Sequence, residues 1–332
     1  MDKIKYIQPE NLSGNNTKGL SKVVATIKKR DLIVVKDFSV GGDAPKDFIK
    51  IYHYGSYKRK NRHKWTKYIA KTGHKWYPTE SIMEHLLNCV GQELGLLMSE
   101  SRLAFISGQL RFLSTYFLDN QQQELVHGID IFAGFVSDRA FVEQIEAQQL
   151  ARAFFTFQFT AKAIEFAFPK NSTDIITDFV KLLVFDAVVG NNDRHFYNWG
   201  VVKSIKNKHK PYFSPIFDTA RGLFWNDSEQ KIVDRISNKG QLDLYLQKYI
   251  KRSFPKIGWE GQDNLNHFQL VEKIKNEHTQ YHAIIEDLVS VKKEESILEM
   301  IDSKFSKLLS VNRLFIIKTC LKLRFQYLRN IK

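Results

Sequence analysis

The chain has 332 residues, 43% of them hydrophobic, and a formal net charge of +14. That supplies a large core spread over two lobes or domains and excludes a disordered, low-complexity polymer. Two cysteines, Cys89 and Cys320, with no Cys/His spacing around them, exclude a disulfide framework and a zinc site.

The opening MDKIKYIQPEN is charged at positions 2, 3 and 5 and has no signal-peptide core. The late apolar run LFIIKTCLKL is broken by lysines and too short to span a bilayer. The expectation is a soluble, cytoplasmic protein with no membrane partner. Its positive charge favours phosphate-rich or acidic partners.

Residues 1–118 read as strands and turns with one helix. NLSGNNTKG, residues 11–19, is a turn ahead of a strand. Its Gly14, Asn15, Asn16, Thr17 and Lys18 suit the presentation of N–H groups and a cation to phosphates, although such a string is also an ordinary turn. SKVVATIKKRDLIVVKDFS predicts a hairpin about KKRD, and DFIKIYHY predicts a strand carrying Lys50. YKRKNRHKWTKYIAKTGHKWYP, residues 57–78, has Lys or Arg at 58, 59, 60, 62, 64, 67, 71 and 75 and no acid. With Trp65, Tyr68, Trp76 and Tyr77 interleaved, it reads as a surface for nucleic acid or another acidic partner, or as a solvated basic loop. TESIMEHLLNCVGQELGL is a helix by the spacing of Ile82, Met83, Leu86, Leu87 and Val90, with Thr79 at its N-cap and Glu84 upon it. SRLAFISGQLRFLSTYFLD then gives two strands joined at Ser107-Gly108.

Residues 119–332 read as mainly helical. VEQIEAQQLARAFFTFQFTAKAIEFAF and STDIITDFVKLLVFDAVV are helical segments, the second stopped by Gly190. GNNDRHFYNWG follows, then the strands WGVVKS and YFSPIFD, and amphipathic helices to the end.

Asp193 and Asn198 stand five residues apart, and Asp218 ends the apolar FSPIFD. Phosphoryl transfer needs one carboxylate to orient or deprotonate a hydroxyl, plus a carboxylate and an amide to hold Mg²⁺ on nucleotide phosphates. These residues supply that set at the spacing of the protein-kinase catalytic loop. Lys50, held by Glu84, would reach the phosphates. His195 and Arg194 read as braces of the loop, Phe196 and Trp199 as core plugs, and RSFPKIGW, residues 252–259, as the substrate side of the cleft.

GNNDRHFYNWG followed by FSPIFDTARGL resembles the signature of HipA-like kinases, bacterial Ser/Thr kinases best known as toxins of toxin–antitoxin pairs. The D-R-H-x-x-N order is also similar to that of phosphatidylinositol kinases. The resemblance implies an α+β fold with two lobes, a small β-rich N-lobe and a larger helical C-lobe, and an ATP- and Mg²⁺-dependent kinase. It implies a protein substrate with a Ser or Thr acceptor, some relatives acting on aminoacyl-tRNA synthetases, and an antitoxin partner. Asp193 would be the base, Asn198 and Asp218 the metal ligands, Lys50 the phosphate lysine, and Tyr116, Phe117 and Leu118 the hinge beside adenine. The family's phosphate loop, Ser-x-x-Gly-x-x-x-Lys, aligned on Gly14 and Lys18, puts Asn11 at the serine that some members autophosphorylate, with Ser13 and Thr17 nearby. The chain resembles the compact members, without the extra N-terminal domain of the longer toxins. The alternatives are a lipid or small-molecule kinase and a nucleic-acid-binding protein on a degenerate kinase scaffold.

Overall fold

Apolar residues alternating with polar ones give five strands: β1 (Leu32–Val34), β2 (Lys46–Ile51), β3 (Thr66–Thr72), β4 (Ser101–Ile106) and β5 (Gln109–Thr115). The computed structural model describes residues 17–35, 46–55, 58–73, 77, 79–119, 121–206 and 208–331. The strands form one antiparallel sheet in the order β1-β2-β3-β5-β4. Ile49, Ile51, Tyr68, Ala70, Ala104, Ile106 and Leu113 cluster on one face. The opposite face carries Lys46, Phe48 and Lys50 of β2 against Lys71, Ile69 and Lys67 of β3. Ser107 and Gly108 join β4 to β5 with φ of 53° and 81°, the two positive values that a tight type I′ hairpin requires.

Two expectations fail in this lobe. Leu32–Val34 does not pair with the preceding apolar run but with Ile49–Ile51, while Thr26 bridges Phe105. The KKRD segment is a 3-10 corner, Lys29–Asp31, whose buried Asp31 is held by Arg59 and by the Tyr54 hydroxyl. A third of the basic 57–78 segment is also no loop: Thr66–Thr72 is the central strand. Trp65 and Tyr68 are buried there and offer no stacking surface to bases. Helix α1 (Glu80–Glu93) packs across β4 and β5. Thr79 precedes it without capping it, its hydroxyl donating at 3.5 Å to the Trp225 carbonyl.

The second lobe begins with β6 (Gln123–His127), a strand that the helical reading missed. It continues with α2 (Gly128–Val136), α3 (Arg139–Ala147), the short α4 (Ala151–Phe154), α5 (Phe157–Ala167) and α6 (Ser172–Val189). The single long segment expected over 142–168 is broken because Gln149 turns left-handed, at φ 57°, and Thr156 accepts the Phe159 N–H to start α5. Helix α6 is apolar on nearly all sides and runs through the core, as a helix without a polar face must. Gly190 ends it at φ 69°, its N–H bonding the Asp186 carbonyl at 2.8 Å. Strands β7 (Gly200–Ser204) and β8 (Tyr212–Phe213) complete a small sheet with β6. Helices α7 (Glu229–Ser237), α8 (Lys239–Lys251), α9 (His267–Glu277), α10 (His282–Leu288), α11 (Val291–Phe305) and α12 (Val311–Arg329) follow. Helix α11 packs on α1 and so joins the lobes, and α12 packs along α6. No helix among the described residues is long and apolar enough to cross a membrane.

Gly200 sits where β6 and β7 approach most closely, and a Cβ there would lie 2.4 Å from the Val126 carbonyl oxygen. Gly200→Ala is expected to cost about 1–3 kcal/mol, the usual penalty of overpacking. A lowered denaturant midpoint at unchanged m-value is the measurement that checks it.

Candidate active site

A cleft of about 930 Å³ lies between the five-stranded sheet and the helical lobe. Its upper wall is the face of β2, β3 and β5 that carries Lys46, Lys71 and Phe112. Lys71 is buried, and its Nζ donates to Glu84 Oε1 at 2.5 Å and to Asp218 Oδ1 at 3.0 Å. Lys46, directly opposite Lys71 in the ladder, donates to Asp218 Oδ2 at 3.2 Å. Asp218 thus faces a cation with each oxygen. Burial alone would raise its pKa, but Lys71 and then Lys46 outweigh it and hold the carboxyl well below the usual range. For Lys71, burial disfavours the ammonium, but Asp218 and Glu84 overcome this and raise its pKa, so it stays charged. Burial pushes Glu84 up to about 6, with Lys71 offsetting part of the rise. Asp218 itself is a non-glycine residue at φ 56°, a strained conformation found preferentially at functional sites.

The lower wall is the 190–200 loop, and Arg194 organises it. Its guanidinium is buried against Asp186 of α6, Nε to Oδ2 at 3.0 Å and Nη2 to Oδ1 at 3.1 Å. Its Nη1 then donates to the carbonyls of Asn198 at 2.8 Å and Phe217 at 2.7 Å. One planar fork therefore binds the residue expected to ligate metal and the residue just before Asp218. The Asn191 side-chain amide also donates to Asp186, and its Oδ1 accepts the Asp193 N–H. The Asn198 side-chain amide donates to the Asp193 carbonyl at 3.0 Å and lies 3.1 Å from His195 Nε2. That leaves Asn198 Oδ1 available as a hard oxygen ligand. Asp193 Oδ2 is 3.3 Å from Arg221, whose guanidinium also lies over the Trp225 ring.

Of the residues singled out in the sequence, Asp193, Asn198, Asp218, Glu84, Tyr116, Phe117 and Leu118 all line this cleft. Phe196 and Trp199 are core residues, the latter stacked on Phe213. Lys50 is not at the site. It shares the cleft-facing side of β2 but lies four residues from Lys46, about 13 Å along the strand, opposite Lys67. The lysine that Glu84 holds is Lys71, concealed in the segment that reads as a basic loop. The alternation in TKYIAKT, with Tyr68 and Ala70 on one side and Lys67, Ile69 and Lys71 on the other, is the signal that could have found it. Ser253 and Phe254 do not line the cleft: the Ser253 hydroxyl and the Phe254 N–H both donate to Asn192 Oδ1, bracing the loop from behind.

Sheet, joining helix and helical base enclose the cleft as the two lobes of a protein-kinase-like fold do. Within that class the chain belongs to the HipA-like C-terminal domain family, whose model matches residues 38–295. Among solved structures, the proinflammatory kinase CtkA of Helicobacter pylori is similar over 92% of this chain and 96% of its own, at 17% identity and a TM-score of 0.70. HipA of Shewanella oneidensis, solved with HipB and operator DNA, is similar over 91% of this chain and 73% of its own, at 13% identity and a TM-score of 0.51. No curated protein sequence matches the chain.

Residues 11–19 fall before the family match. Gly14, Asn15 and Asn16 lie outside the described residues, while Thr17 and Lys18 open a 3-10 helix, Thr17–Lys22. Within the match, Ser39-Val40-Gly41-Gly42-Asp43-Ala44-Pro45-Lys46 reproduces Ser-x-x-Gly-x-x-x-Lys at every fixed position. Residues 39–45 lie outside the described residues, but Lys46 is at the cleft, on Asp218.

Proposed function

We propose that this chain is an ATP- and Mg²⁺-dependent protein kinase that phosphorylates serine or threonine of a cytoplasmic protein and acts as the toxin of a toxin–antitoxin pair. The observation that carries this reading is Lys71, buried between Glu84 and Asp218 on one wall of a cleft whose other wall presents Asp193 and Asn198. The lobes divide near Leu118, with 1–118 above and 119–332 below. ATP would place its base beside Tyr116–Leu118 and its phosphates against Lys71 and Lys46. Asp218 and Asn198 Oδ1 form a hard-oxygen donor set that fits Mg²⁺, which takes few protein ligands. When bound, the ion neutralises charge on the nucleotide phosphates.

Asp193 receives the proton of the acceptor hydroxyl as that oxygen bonds to the γ-phosphorus. The bond to the β,γ-bridging oxygen breaks and ADP leaves. The strand expected to run to Asp218 ends at Phe213, and Asp218 lies in the irregular segment after it. Arg194, which holds the Phe217 carbonyl, keeps this segment and the 190–200 loop in place before substrate arrives. Ser39, now at the serine position of the family loop, is the hydroxyl for autoregulation in place of Ser13 or Thr17.

Transfer of γ-labelled phosphate from Mg-ATP to a cytosolic extract, by the wild type and by Asp193→Asn, tests the reading. Label on discrete proteins with wild type alone supports a protein kinase. ATP bound normally with no protein labelled points instead to a small-molecule or lipid acceptor. Growth arrest on expression, absent with Asp193→Asn and relieved by a co-expressed neighbouring gene product, tests the toxin role.

Glu84 sets an acid limit. As the pH falls through about 6 the carboxylate gains a proton and Lys71 loses one of its two anionic partners, so the rate is expected to fall. Glu84→Gln should remove that limb from the pH–rate profile. Stability has two contributions of opposite sign. Glu84, its pKa raised by burial, favours the folded state increasingly as pH drops from about 6 toward its ordinary value. Asp218, its pKa depressed by Lys71 and Lys46 against the effect of burial, stabilises above the ordinary carboxylate value and loses that contribution on further acidification.

A further inference from the structure

Folding joins two basic runs that are distant in the sequence. Lys28-Lys29-Arg30 and the 58–64 run, KRKNRHK, meet at the end of the sheet where β1 is the edge strand. Asp31 draws them together: Arg59 binds its carboxylate, Arg30 Nε stands 4.0 Å from it, and Tyr54 donates to it at 3.0 Å. The Tyr54 hydroxyl also accepts from Arg59 at 2.9 Å and Arg30 at 3.4 Å. Among the described residues, Asp31 is the one acid ion-paired with these runs, and it is buried. Every Lys and Arg of the two runs is exposed. Assembling so many like charges in one place costs stability, and a nucleic acid offsets that cost because its neutralised phosphates release their condensed counterions.

The sheet register extends the patch. Lys50 faces Lys67, and two residue pairs further along the same face Lys46 faces Lys71 at the phosphoryl-transfer site. Cations therefore continue from the patch toward the cleft. Trp65 and Tyr68 are buried and Tyr54 is the exposed ring among these cations, so phosphate contacts dominate the patch.

We propose that this patch binds the phosphate backbone of a nucleic acid, without sequence preference, at a site separate from the nucleotide cleft. This binding does not rest on the kinase reading.

The test is fluorescence anisotropy of a labelled 20-nucleotide oligouridine and a duplex of equal length across a salt series. Three proteins are compared: wild type, Lys28→Glu/Lys60→Glu/Arg62→Glu, and the control Lys206→Glu/Lys208→Glu/Lys210→Glu, in an equally basic turn of the helical lobe. The patch variant is expected to bind oligouridine at least about 10-fold more weakly, with a salt slope shallower by about 2 once three phosphates are no longer neutralised. The control should stay within about twofold, because its lysines lie outside the patch and neutralise no phosphate of the bound strand. The glutamine version of the patch variant guards against misfolding and should show a smaller loss in the same direction. Equal losses in patch and control would mean diffuse attraction to net charge and would overturn the site. Displacement of oligouridine by polyglutamate at matched charge would overturn it in favour of an acidic protein. Tighter binding of either nucleic acid assigns the partner's form within the proposal.

Discussion

Lys71→Met is expected to lower phosphoryl transfer by about 10²–10³-fold, the usual effect of removing a preorganised charge-stabilising donor. Lys50→Met should leave the rate within about twofold, because Lys50 sits about 13 Å from the Lys46–Lys71 pair. The pair of variants separates the strand lysine legible in DFIKIY from the one the tertiary structure selects. Removing Lys71 also strips a buried partner from Glu84 and Asp218, and breaking such a pair costs about 3–5 kcal/mol. Loss of fold could then mimic loss of catalysis. Lys71→Met/Glu84→Gln resolves this: without a buried unpaired carboxylate on α1, the double variant should regain part of its thermal midpoint and none of its activity. A single-turnover assay beside thermal unfolding of all four proteins is the measurement. Wild-type rates in Lys71→Met would remove this lysine from the mechanism.

Arg194→Met is expected to be the most damaging change outside the residues that touch substrate. The side chain is buried, forms a two-point ion pair with Asp186, and holds the Asn198 and Phe217 carbonyls. Substitution leaves Asp186 with Asn191 as its remaining hydrogen-bonding partner in the core and two backbone carbonyls without their donor. A stability loss of about 3–5 kcal/mol is the expected scale for a broken buried pair. The rate should fall even at temperatures where the variant is folded, since the loop and the segment that carries Asp218 lose their common brace. Arg194→Lys is not conservative here, because an ammonium cannot span two carboxylate oxygens and two carbonyls in one plane. Denaturation midpoints and rates measured together on the Met and Lys variants test this; a folded, fully active Arg194→Lys would refute it.

Much of the helical lobe's half of the site was legible because its residues are close in sequence. Asp193, Arg194, His195 and Asn198 occupy six positions, and a five-residue Asp-to-Asn spacing survives any arrangement of the rest of the chain. Gly190 was legible for a similarly local reason, since a helix that ends left-handed favours glycine. The Ser107-Gly108 turn was readable on the same grounds. Glu84 was readable as a helix residue, but the partner that makes it functional was not.

The sequence by itself determined which chemistry the chain carries: the loop aspartate and asparagine, the strand-end aspartate, the helix glutamate, and an apolar pattern sufficient for a β-rich lobe and a helical one. Which lysine joins them was decided only by the tertiary structure. Lys46, Lys50, Lys67 and Lys71 have similar local surroundings, and strand propensity does not distinguish them. The pairing register of β2 with β3 sets Lys46 opposite Lys71 at one end and Lys50 opposite Lys67 at the other, and the packing of α1 brings Glu84 to the first end. A carboxylate that would be costly to bury alone then fixes the choice, because the lysine within its reach is the one that must stay charged.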